Sequence, residues 1–83
     1  MSKIKEKDIV RVVDGSYNRD LNTNEKRNGN NSLFENKQGV VLAIKSGEVC
    51  TDTVGIPVSM NLIISFSGGI IIACAECCVV KIN

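Results

Sequence analysis

The chain has 83 residues, 43% of them apolar, and a formal net charge of +1. That leaves room for one domain with a small core, is too apolar for a disordered chain, and stays too close to neutral for general attraction to nucleic acid or an acidic membrane. There is no histidine, and three of the four cysteines crowd into the last ten residues, unlike the even spread of a disulfide framework.

Residues 1–7 form a polar, lysine-rich lead-in with no apolar run of the signal-peptide kind, so a cytoplasmic protein with reduced thiols is expected. From Asp8 to Asp14, "DIVRVVD" predicts a first strand, with Val10 and Val12 on one face and Arg11 on the other. Asp14-Gly15 then signals a turn. Residues 15–38 hold seven asparagines and few apolar residues beyond Tyr17, Leu21, Leu33 and Phe34. Asparagine favours turns and left-handed conformations over ladders, so one long surface loop is expected.

A second strand is predicted from Gly39 to Gly47, followed by a loop that contains Cys50 and closes at Pro57. Val58 to Ser67 alternates Met60, Leu62, Ile64 and Phe66 against Asn61, Ile63 and Ser65, which is strand periodicity. Ser67-Gly68-Gly69 is a tight hairpin signal. "IIIACA" predicts a fourth strand, Ala75-Glu76 a short break, and Cys77 to Ile82 a fifth. A membrane helix over Leu62 to Val80 is disfavoured by Gly68, Gly69 and Glu76. Cys74-x-x-Cys77-Cys78 offers one metal-knuckle step and Cys50 a lone thiol. The β-branched neighbours Ile72, Val79 and Val80 favour packed core thiols, and neither a metal nor a cofactor is expected.

The expected fold is therefore all-β: a single five-stranded SH3-like barrel over residues 1–83, with a long Asn-rich loop after the first strand. "KDIVRVVDGSYN" at Lys7 to Asn18, "GVVLAI" at Gly39 to Ile44 and "ECCVVKI" at Glu76 to Ile82 resemble small SH3-like proteins encoded by bacterial phages. The opening is also similar to modules of the KOW type. The resemblance implies a role in interfering with host systems and implies no catalytic residues.

No histidine can serve as a base for Cys50, and neither a nucleophile elbow nor a Gly-rich phosphate loop is present, so an enzyme is not expected. In the last three strands either choice of inward face leaves apolar residues outside. Ile63, Ile71, Ala73 and Val79 are expected to form a patch covered by a second copy of the chain. The leading expectation is a binding module, homo-oligomeric and acting through protein–protein contacts, with a host protein as a further partner. A small anionic ligand such as a nucleotide signal is the alternative. Tyr17 would stack on it, Arg19 would clamp a phosphate, and Asn18, Lys26 and Arg27, with Asn28 and Asn30, would complete the site. A KOW-like nucleic-acid module using Lys3, Lys5, Lys7 and Arg11 ranks third, because aromatics for base stacking are few.

Overall fold

The computed structural model describes residues 4–14, 17–23, 26–27, 34–51 and 54–82. The expected turn at Gly15, the basic residue Lys3, the apolar anchor Leu33, and Asn28 and Asn30 lie outside the described residues.

The described residues are all-β. Seven strands run β1 (Ile9–Val12), β2 (Asn18–Asp20), β3 (Lys26–Arg27), β4 (Gln38–Thr51), β5 (Pro57–Ser65), β6 (Ile71–Cys74) and β7 (Val79–Lys81). They form one open antiparallel sheet in the order β3-β2-β6-β5-β4-β1-β7. None of the described elements is a helix long and apolar enough to cross a membrane.

β5 lies near the middle because its period-2 pattern is the strongest in the chain. Met60, Leu62, Ile64 and Phe66 are all buried, as the alternation predicts. Leu62 pairs with Cys74 and Ile64 with Ile72 on one side, and Ile64 pairs with Val41 on the other. Val10 and Val12 of β1 complete this layer, with Arg11 exposed. Full burial of each large aliphatic side chain contributes about 1.5–3 kcal/mol.

Two more strands occur than the expected five, because residues 15–38 are not wholly loop. β2 pairs with β6 through Asn18–Cys74, Arg19–Ala73 and Asp20–Ile72, and β3 pairs with β2. Asp20 Oδ1 accepts from the Asn22 and Thr23 amides at 2.9 and 3.3 Å, closing the turn after β2. Phe34 stacks on Phe66 with centroids 5.6 Å apart and planes 8° from parallel. Asn36 takes a φ of 65° and donates its amide to the Val12 carbonyl at 2.7 Å, so asparagine serves here as a left-handed residue at the return to β4.

The lead-in is also less solvated than its lysines imply. Ile4 is buried in the core, and Lys7 donates its amide to the Val41 carbonyl at 2.7 Å. β4 runs past the predicted stop at Gly47, and Cys50 lies inside it rather than in a loop. The strand continues by shifting register twice against β5, between Val41 and Ala43 and again between Ile44 and Glu48. Gly47 makes the second shift feasible: a Cβ there would sit 1.9 Å from the Met60 carbonyl oxygen.

Ser67–Gly69 forms the predicted tight turn between β5 and β6, with Gly68 and Gly69 in left-handed conformation at φ 84° and 81°. A 3-10 turn, Glu76–Cys78, separates β6 from β7. That turn breaks the alternation assumed for the last strand. Cys78 and Val79 are both buried, and Val80 is exposed in place of Val79.

Gly47→Ala is expected to destabilise the fold by about 1–3 kcal/mol, since backbone on β5 must give way. Thermal unfolding followed by circular dichroism should show a fall of about 4–8 °C for each kcal/mol lost.

Candidate functional site

Two surfaces matter: the β2 region, where a ligand site was expected, and the outer face of the sheet. In β2 the side chains alternate, and Asn18 is fully buried opposite Cys74. Tyr17 packs partly buried against the core. Burial withdraws Asn18 from the expected ligand site, while Tyr17 stays partly exposed. Arg19 pairs with Glu48 of β4, its Nε donating to Oε1 at 2.8 Å and its second guanidinium nitrogen to Oε2 at 3.0 Å. This two-point fork is the geometry a phosphate would need, and a carboxylate of the same chain fills it. The hydrogen bond to Glu48 raises the guanidinium pKa above its ordinary value. The backbones of Lys26 and Arg27 lie beside β2, paired with Arg19 and Asn18.

The thiols divide by depth. Cys50, Cys74 and Cys78 are buried and Cys77 is exposed. Hydrogen-bond contact with Cys74 pushes the Cys78 thiol far up, and burial beside Cys78 raises that of Cys77. Raised thiols are protonated and weakly nucleophilic. No three cysteine, aspartate or glutamate side chains converge on a cation position among the described residues. A cleft of about 320 Å³ opens beside Phe34, Phe66 and Lys37. Both rings are buried and engaged with each other, so they offer no stacking platform.

The outer face is built by register. Ile9 of β1 pairs with Val40 of β4, Val40 with Ser65 of β5, and Ser65 with Ile71 of β6. In the next row Ala43 pairs with Ile63 and Ile63 with Ala73. Leu42, the extra residue where β4 first shifts register, is exposed between these rows, and Val80 and Ile82 are exposed at the β7 side. Ile63, Ile71 and Ala73 thus fall on one face and are half-buried, while Val79 belongs to the core. Val40, Leu42, Val80 and Ile82 were not singled out from the sequence. The cross-strand pairing that assembles them into one face has no local signature.

No family model matches this chain, and neither a curated protein nor a solved structure is significantly similar to it.

Alkylation of the native protein is expected to modify one thiol per chain, Cys77, and all four after unfolding, as read by intact mass. Because the Cys77 thiol is raised, its thiolate fraction at a given pH is smaller than that of a free cysteine. The alkylation rate should therefore go on rising at pH values where free cysteine has levelled off. Arg19→Ala and Glu48→Ala should each lower the melting temperature, and the double variant should lose less than the sum of the two, since both remove the same contact.

Proposed function

We propose that this chain is a non-enzymatic SH3-like binding module that acts through protein–protein contact and assembles with itself. One observation carries the reading. Ile9, Val40, Leu42, Ala43, Ile63, Ile71 and Ala73 line a single sheet face, with Val80 and Ile82 beside them; Ser65 interrupts the paired rows, and Arg19, opposite Ala73, and Arg11, opposite Val80, border them. Contiguous apolar faces rimmed by polar residues mark interaction sites.

The SH3-like part of the proposal draws support from the strand order. Read along the sheet from β7, the order β7-β1-β4-β5-β6 places first and last strands side by side, with a 3-10 turn leading into the last. β2 and β3 then embellish the long connection after β1. A host protein as a further partner rests on the likeness of the first and last strands to phage-encoded modules. A small anionic ligand takes second place, because it would have to displace Glu48 from the Arg19 fork.

Light scattering on a sizing column should give a mass that is a multiple of the 9.0 kDa protomer. Val40→Asp with Leu42→Asp should reduce it to one protomer while leaving the β-sheet dichroism intact. A wild-type chain that elutes as a strict monomer at micromolar concentration would remove self-assembly from the proposal.

A further inference from the structure

The start of β4 passes close to the end of β5 at Gly39. A Cβ there would meet the Ser65 carbonyl oxygen at 2.7 Å and Phe66 Cδ1 at 2.9 Å, so glycine lets the Phe66 ring lie against β4. Phe34 stacks on that ring. Beside the pair opens the cleft of about 320 Å³, whose rim carries Lys37 and Gln38 on one strand approach and Ser67 and Ile70 on the turn into β6. None of these residues belongs to the apolar outer face.

Backbone bonds hold the walls in place. Asn36, in the left-handed region at φ 65°, donates its amide to the Val12 carbonyl at 2.7 Å, and Val12 donates back to the Lys37 carbonyl at 3.0 Å. The Lys37 amide reaches the Phe34 carbonyl at 3.1 Å. Across the cleft, Phe66 donates to the Ile70 carbonyl at 2.8 Å and closes the glycine turn. The cleft is thus formed before any ligand arrives, which lowers the cost of binding.

Its chemistry is two-sided. Phe34, Phe66 and the half-buried Ile70 supply apolar wall, and Gln38 and Ser67 supply neutral polar groups. Lys37 is the single charged residue among the described lining residues, and its ammonium makes no ion pair among the described residues. One cation beside neutral donors balances one negative charge. A phosphate ordinarily calls for an arginine fork or converging amides at a helix end, and neither lines this cleft. At about 320 Å³ the cleft lies at the lower end of the range for small-molecule sites, roughly 300–1,000 Å³.

We propose that this cleft binds a small monocarboxylate with an apolar body, its carboxylate on Lys37 with Gln38 and Ser67, and its hydrocarbon against Ile70 and the phenylalanine pair. The site differs from the Arg19 region in place and in ligand class, and it stands apart from the self-assembly reading.

Titration with hexanoate, followed by amide-resolved NMR, tests it. Saturable shifts are expected at Lys37, Gln38, Ser67 and Ile70, with affinity in the millimolar range that so small a ligand allows. Hexylamine, which has the same chain and the opposite charge, should give none. Lys37→Ala should raise the dissociation constant about tenfold by removing a charge-assisted contact, and Lys37→Arg should recover most of the binding. Lys37 is exposed, and the NMR spectrum of each variant checks that it folds. A wild-type chain without saturable shifts overturns the proposal. Hexylamine binding as tightly as hexanoate, or Lys37→Ala binding like wild type, overturns it too. The oligomeric state is read separately on the sizing column, so failure here leaves self-assembly standing.

Discussion

Burial of Leu62 and Ile64 on one side of β5 is the constraint on which the remaining architecture depends. β5 is flanked by β4 and β6, and each neighbour must match its inward residues to keep water out. Val41, Ile72 and Cys74 meet that demand in register. Because side chains alternate strictly along a strand, a slip of one residue would carry every one of them to the solvent side. The same strictness has a cost on the reverse face. Where the intervening residues are also Ile, Ala and Val, fixing the inside leaves an apolar outside.

β4 shows how a long strand serves two purposes. Its first half contributes Val41 to the core, and its second half forms the ribbon with β5. The two register shifts lie between these halves, and extra residues in a strand bend it and increase its twist. Gly47 sits at the second shift because the Met60 carbonyl occupies the space a side chain would need. The bend also brings Glu48 to Arg19, and this pair fastens the Asn-rich segment to the ribbon across 29 positions of sequence. Phe34 stacked on Phe66 fastens the same segment at its other end.

The cysteines fit this packing without special chemistry. Cys74 ends β6 and Cys78 ends the 3-10 turn, and they meet as small side chains in a chain with few aromatics to fill space. Contact with Cys74 keeps Cys78 a thiol, and burial works in the same direction. Cys77 occupies the outer side of that turn.

The sequence by itself determined which residues of β1 and β5 point inward, the tight turn at Ser67–Gly69, the break after Ala75 and the all-β class. Each of these is a local property: a period of two, a glycine pair, an excess of β-branched residues. What only the tertiary structure decided depends on pairing between distant segments. Asn18 looks like a surface loop residue until β2 docks on β6 and buries it opposite Cys74. Arg19 looks like a free phosphate clamp until the bend in β4 supplies Glu48. Val79 reads as outward by simple counting, and the 3-10 turn before it restarts the count. Cys50 reads as loop because Ser46-Gly47 resembles a stop, whereas the glycine there permits close approach to β5. The outer face follows the same logic. Its residues come from five strands spread over the whole chain, and hydrogen-bonded register alone makes them neighbours.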